Sequence, residues 1–364
     1  LKNLLIFRKR LLPFSETFIR AQSLYLKNFT PHYAGFEKDN SGFDSISSSP
    51  TFLLSEYDKF LDIKKFLLKK NLLKSSHWLK QLKQSNLSII HAHFASDALY
   101  AKNIASCLNT PLVTSLHGSD ITKTKNHKFL EPVFNSSSLI LCISKFIYNK
   151  ALSLGAKQNN LVQHYTGIDT NYFSIDKQES VSPLILFIGR VVTNKGVWEI
   201  CQAFKAITVK YRTAQLVILG DGPELPKLKL YAQANSLNIH FLGNVNADKI
   251  KSLLSRAWVM CVPSKKLTDG TEEGLGMCYL EAQACQTPVI GTSIGGIPEA
   301  IVHGKSGILI NENSEHELIS ALFQLLDNKK LRLNMGKFSR EYTINKFDLM
   351  TQNKKLEQLY KAVL

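Results

Sequence analysis

Short apolar runs recur along the chain and stop abruptly at glycine or at a polar turn. They are Leu4 to Phe7, Ser88 to His91, Leu112 to Leu116, Leu139 to Ile143, Leu184 to Ile188, Gln215 to Leu219, Val259 to Val262 and Pro288 to Gly291. A strand buried on both faces reads as such an unbroken run, whereas a half-exposed strand alternates. Between the runs the apolar positions change to helical spacing, as at Val197, Ile200 and Phe204. Strands alternating with helices predict parallel βαβ layers, an α/β fold. A chain of 364 residues exceeds a comfortable single core, so two domains are expected.

The polar turns that end these runs carry the candidate chemistry. Leu184 to Ile188 gives way to Gly189-Arg190 and then Thr193-Asn194-Lys195-Gly196, a strand, loop and helix start holding two cations. Arg binds phosphoryl oxygens through a fixed donor fork and Lys as a point charge, so the pair suits diphosphate capture. In isolation, either one would read as a solvated surface charge. Further on, Glu273-Gly274-Leu275-Gly276-Met277-Cys278-Tyr279-Leu280-Glu281 places two carboxylates around a glycine loop that opens a helical pattern. Gly274 and Gly276 let backbone N–H groups approach an anion, and a helix start adds free donors and partial positive charge. The carboxylates can accept hydrogen bonds from sugar or ribose hydroxyls.

Weaker signals surround these two. Gly220-Asp221-Gly222-Pro223 and Gly243-Asn244-Val245 end strand-like runs, but Gly220-x-Gly222 lacks the third glycine of a dinucleotide fingerprint. His117-Gly118-Ser119-Asp120 follows the run Leu112 to Leu116; a lone loop histidine is more often structural than functional. His91 and His93 share one face of a strand, yet no Cys or carboxylate follows at a zinc-like interval, so no metal site is expected. Gly304-Lys305-Ser306 ends like a P-loop, but Glu299 stands where the first glycine is required.

The stretch from Pro263 to Ile310 adds Thr287-Pro288-Val289-Ile290 and Gly295-Gly296-Ile297-Pro298-Glu299 to the Glu273-to-Glu281 run. In this order the blocks resemble the nucleotide-sugar region of family 4 glycosyltransferases, and the resemblance is strongest from Phe187 to Ile310. It implies a GT-B architecture, two Rossmann-like parallel-sheet domains facing across an interdomain cleft, and retaining transfer of a hexose from a nucleoside-diphosphate sugar. Its division would be an acceptor-side domain over 1–164, a linker over 165–173 around Thr166-Gly167-Ile168-Asp169, a nucleotide-sugar domain over 174–346, and a helical tail over 347–364 that returns to the first domain. By resemblance, Arg190 and Lys195 support departure of the diphosphate, His117 faces the donor sugar, Glu273 reaches the sugar ring, and Glu281 binds ribose. Gly189, Gly243, Asn244, Val245, Gly274, Leu275 and Gly276 would line the donor. After the first strand, Leu12-Pro13-Phe14-Ser15-Glu16-Thr17 replaces the glycine loop of many members and resembles bacterial exopolysaccharide and lipopolysaccharide transferases. Phe14, Ser15, Glu16 and Thr17 are then the acceptor-side loop. The acceptor implied is a saccharide, free or on a polyprenyl diphosphate. No Asp-x-Asp occurs, so no cofactor and no absolute metal requirement is expected, and UDP and GDP remain open.

Charge divides the chain unevenly. Residues 1–164 hold 22 Lys plus Arg against 10 Asp plus Glu, and the remainder 23 against 19. Much of the excess lies over 58–83, where Phe60, Ile63, Phe66 and Leu67 sit at helical intervals among Lys64, Lys65, Lys69 and Lys70. That pattern suits a helix on an anionic membrane surface, and almost equally a Lys-coated helix packed on its domain. Six cysteines without paired spacing and the lack of a secretory leader point to the cytoplasm, with this segment on the inner face of the membrane. No apolar run nears the roughly 20 residues of a spanning helix. Other readings are a sugar phosphorylase using phosphate or pyridoxal phosphate, a nucleotide-sugar epimerase, and a basic nucleic-acid-binding protein. No zinc-finger, RNA-binding or zipper pattern favours the last, and no specific nucleic acid is expected.

Overall fold

The structure is a computed structural model that describes residues 1–11, 13, 16–39, 48–73, 76–174 and 176–364. The chain forms two units, one of Leu1–Gly167 with Leu349–Leu364 and the other of Ile168–Asp348. The first holds strands β1 (Lys2–Phe7), β2 (Arg10–Leu11), β3 (Phe29–Gly35), β4 (Glu37–Lys38), β5 (Thr51–Leu53), β6 (Leu87–His93), β7 (Leu112–Leu116), β8 (Leu139–Cys142) and β9 (Leu161–Gln163). Seven of them form a sheet in the order β5-β3-β1-β6-β7-β8-β9, and β2 pairs with β4 apart from it. Every pairing is parallel, so each strand needs a crossover, here mostly a helix.

Strand β1 shows how the sequence builds two cores. Successive side chains point to opposite faces, so Leu4 and Ile6 pack with Tyr33, Ile89, Leu356 and Tyr360. Leu5 and Phe7 pack on the other face with Trp78, Leu82, Ala98 and Ile104. Leu356 and Tyr360 come from the terminal helix Leu349–Ala362, which Glu357 fastens to the backbone N–H of Asn28 at 2.8 Å. Phe347 still belongs to the helix Lys329–Phe347 of the second unit, so the returning segment begins at Leu349.

The second unit holds β10 (Leu184–Ile188), β11 (Gln215–Leu219), β12 (Ile239–Gly243), β13 (Val259–Cys261), β14 (Val289–Thr292) and β15 (Gly307–Ile310). Their order is β12-β11-β10-β13-β14-β15, all parallel. Chain order runs outward in both directions from β10 and β13. Ligands of open parallel sheets bind outside the carboxyl ends of strands at such a switch point. Because the strands are parallel, the turns at Gly189, Gly220, Gly243 and Val262 lie along that one edge.

The basic segment is two helices, Leu61–Lys69 and His77–Gln84. Leu68 is fully buried and Leu67 packs partly against the core, so Leu67 does not share the exposed stripe expected from its spacing. That stripe is Phe60 (76% exposed), Ile63 (58%), Phe66 (57%) and Leu72 (61%).

Candidate functional site

In the second unit, loops from β10, β11, β13 and β14 close on one another through glycines. The backbone at Gly196 has φ +68°, and a Cβ there would lie 1.9 Å from the carbonyl oxygen of Pro263 after β13. A Cβ at Gly220 would meet the Gly189 carbonyl oxygen at 1.9 Å. Only glycine permits either approach. Gly296 N–H donates to the Glu273 carbonyl at 2.9 Å, which ties the turn after β14 to the carboxylate-bearing loop.

This closure brings Lys195 to Glu273, whose side chains form an ion pair. Burial pulls the Lys195 ammonium down, but Glu273 and Cys278 together outweigh it and the net shift is upward. For Glu273, burial pushes the carboxyl up, and Lys195, Arg190 and the Gly274 N–H together bring it below its ordinary value. Both groups are therefore charged near neutrality. Arg190 is exposed, and its side chain makes no hydrogen bond or ion pair among the described residues. After the Glu273 loop, the helix Met277–Ala284 starts from Gly276 at φ +88° with no side-chain cap. Tyr279 Oη holds that helix to the Val262 carbonyl at 2.5 Å. An uncapped helix start and a guanidinium without a hydrogen bond or ion pair are features that suit an anion.

The Glu281 carboxylate, one turn into the same helix, makes no hydrogen bond or ion pair among the described residues. Burial alone raises this carboxyl to about 7, so it is about half ionised at neutral pH. Gly243 ends β12 on the same edge of the sheet and Asn244 and Val245 follow it, with the Gly243 carbonyl accepting from Gly220 N–H at 2.7 Å. Arg190, Lys195, Glu273 and the loop Gly274 to Gly276 are thus brought together within one unit. His117 belongs to the other unit.

There, the carboxyl edge of the sheet gathers a second polar cluster. His117 follows β7, and the buried Asp120 carboxylate accepts from His117 N–H at 3.1 Å, Gly118 N–H at 2.7 Å and Ala95 N–H at 3.0 Å. Three backbone donors on one carboxylate fix the turn. The His117 ring lies against Phe18 and Phe94, with centroids 5.2 and 4.5 Å away. Its Nε2 is 3.1 Å from His93 Nδ1. Next to it, Arg8 grips Glu16 (Nε to Oε2, 2.8 Å), pairs with the fully buried Asp97, and covers the Phe94 ring at 4.4 Å. Glu16 is therefore held inward by Arg8, and Thr17 starts the helix Thr17–Leu24. Phe14 and Ser15 lie outside the described residues. Sequence reasoning missed Arg8 and Asp97. Arg8 follows a buried strand as Arg190 does, and that position was the available signal.

Two family models divide the chain between them: "Glycosyltransferase Family 4" matches residues 30–172 and "Glycosyl transferases group 1" matches 170–342. The chain belongs to the family 4 glycosyltransferases. Among relatives of this glycosyltransferase, the N-acetyl-alpha-D-glucosaminyl L-malate synthase of Bacillus anthracis is 29% identical over 301 residues, 77% of this chain and 76% of the relative. A GDP-mannose-dependent alpha-(1-6)-phosphatidylinositol monomannoside mannosyltransferase of Mycolicibacterium smegmatis is 24% identical over 264 residues, 68% and 69% of the two chains. In fold, the glycosyltransferase is similar to HepE of Anabaena, crystallised with UDP-glucose, at TM-score 0.81 and 16% identity over 99% of both chains. Both units thus have the parallel-sheet domains of the GT-B class.

Proposed function

We propose that this glycosyltransferase moves a hexose, with retention, from a nucleoside-diphosphate sugar to a saccharide or lipid-linked saccharide in bacterial cell-surface polysaccharide synthesis. The observation that carries the reading is the charged Lys195–Glu273 pair beside an unpartnered Arg190 and an uncapped helix start. Such a set is complementary to a leaving diphosphate, because preorganised cations and N–H groups act where negative charge develops. Arg190 and Lys195 stabilise that charge. Ionised Glu273 accepts hydrogen bonds from the sugar ring, Glu281 accepts from ribose, and His117 engages the sugar. A panel of nucleotide sugars, with the anomeric configuration of each product read by NMR, tests the reading. Release of the nucleoside diphosphate with an inverted product would overturn retention, and phosphate-dependent release of a sugar phosphate would favour a phosphorylase.

Two protein cations occupy the place that a divalent ion holds in Asp-x-Asp transferases, so a chelator is expected to leave most activity intact. Complete loss with EDTA and rescue by magnesium or manganese would contradict that assignment.

The segment 58–83 is proposed to rest on an anionic membrane. Among the described residues no helix is long and apolar enough to cross a membrane; the exposed stripe of Phe60, Ile63 and Phe66 instead lies among lysines. Lys64 is 3.5 Å from Asp58 and Lys65 pairs with Glu37, which leaves the exposed Lys59, Lys69 and Lys70 to meet lipid, at up to about 1 kcal/mol each. Changing those three to Glu should reduce cosedimentation with anionic vesicles, as should added salt, while nucleotide binding is unchanged. Wild-type protein that ignores such vesicles at low salt would show a merely solvated helix.

A further inference from the structure

His91 and His93 lie on one face of β6 with their rings stacked, centroids 4.2 Å apart. They differ in one respect. Both nitrogens of His91 are engaged, Nδ1 with Tyr360 Oη at 2.6 Å and Nε2 with Ser115 Oγ at 2.8 Å. His93 has Nδ1 3.1 Å from His117 Nε2, while its own Nε2 is buried without a hydrogen-bond partner.

Burial first, then the surrounding histidines and Arg8, hold His93 well below the ordinary histidine value. His117 is likewise well below it, through burial, Arg8 and His91. Two neutral imidazoles joined by one hydrogen bond have two arrangements. If His117 donates from Nε2, the proton of His93 must sit on its Nε2, as a buried N–H with no acceptor. If His93 donates from Nδ1, its Nε2 is a bare lone pair. An orphaned buried N–H is rarer than an under-satisfied acceptor. The nearby Arg8 guanidinium, which also donates to the His93 carbonyl at 3.2 Å, favours a lone pair over a second N–H.

We infer that His93 is a positioning residue: its Nδ1–H donates to His117 Nε2 and holds His117 in the tautomer that carries its proton on Nδ1. That nitrogen has no hydrogen bond among the described residues. His117 then presents a donor to its ligand, suited to a sugar hydroxyl oxygen and unsuited to taking a proton. This role in transfer rests on the function proposed above; the tautomer itself does not.

The test is the 15N–1H correlation spectrum of the imidazoles in the protein without donor, paired with kinetics. Wild type should show His117 protonated on Nδ1. His93→Asn, whose side-chain amide can donate from near the place of Nδ1, should keep that tautomer and stay within a few-fold of wild-type turnover. His93→Leu should release His117 into a mixture of tautomers and lower kcat about tenfold or more, the usual scale for a lost orienting partner, with donor KM within about twofold. His117 protonated on Nε2 in wild type, or unchanged in His93→Leu, overturns the inference. Should His93→Leu fail to fold, the wild-type spectrum and the His93→Asn variant still decide it. A protein with the Nδ1 tautomer that transfers no sugar would sink the function and leave the inference standing.

Discussion

Lys195→Ala is expected to lower turnover at saturating donor by about a hundredfold, the lower end of what removing one preorganised charge-stabilising donor costs. The ammonium faces Glu273 and stays charged, so its loss removes a cation from the proposed diphosphate site and leaves a half-buried carboxylate without its pair. A carboxylate freed in this way would itself repel the leaving group. Glu273→Gln in the Lys195→Ala background separates the two effects, and a partial recovery of turnover identifies the repulsion. Arg190→Ala, which breaks no hydrogen bond or ion pair of the Arg190 side chain among the described residues, should cost at least about tenfold with a nearly unchanged melting temperature. Near-normal turnover in both single variants would remove these residues from the diphosphate site.

The second expected result concerns pH. The Glu281 carboxyl is raised to about 7 in the free protein because it is desolvated and its carboxylate has no donor, and ribose hydroxyls that donate to it would favour the ionised form. Its value should therefore fall on binding. Affinity is then level above about pH 7 and weakens as the pH drops below it, by up to about tenfold per unit until the value in the complex is reached. The same linkage acts on folding. A carboxyl raised above its unfolded value keeps its proton longer in the native state, so its contribution to stability is present at low pH and is lost as the pH rises through about 7. Glu281→Gln should abolish the pH dependence of nucleotide-sugar affinity between pH 5 and 7 and stabilise the empty protein above pH 7. Calorimetric titration with a nucleotide sugar, whose diphosphate has no second proton to lose in this range, reads the affinity. An identical pH profile in the variant would sink the assignment.

What could be read from the residues followed from burial. Strands β7, β10, β11 and β14 are largely covered on both faces, so each reads as a mostly apolar run that ends near the edge of the sheet. Strand β3 escaped notice because Pro31 and His32 interrupt it. Pro31 is tolerated there because β5 pairs only with Tyr33, Ala34 and Gly35, so among the described residues no strand beyond β5 needs the missing N–H. The site was legible as parts and not as contacts. Lys195 and Glu273 were each visible at the end of a glycine loop, but their pairing depends on Gly196 closing on Pro263 and Gly295 on Glu273. Arg8 with Asp97 and His93 with His117 are separated by 89 and 24 residues and carry no local signature. Likewise, the helical spacing of Leu67 could not tell which face of Leu61–Lys69 would meet the core.

The measurement that tests the central claim most directly is calorimetric titration of the wild-type protein and of Arg190→Ala with UDP-, GDP- and TDP-linked sugars. One donor class should bind wild type and bind Arg190→Ala at least about tenfold more weakly, since a charge-assisted bond to the diphosphate is lost. No heat with any nucleotide sugar at millimolar concentration, or equal affinity in both proteins, would contradict a diphosphate site at Arg190, Lys195 and the Gly274 to Gly276 loop.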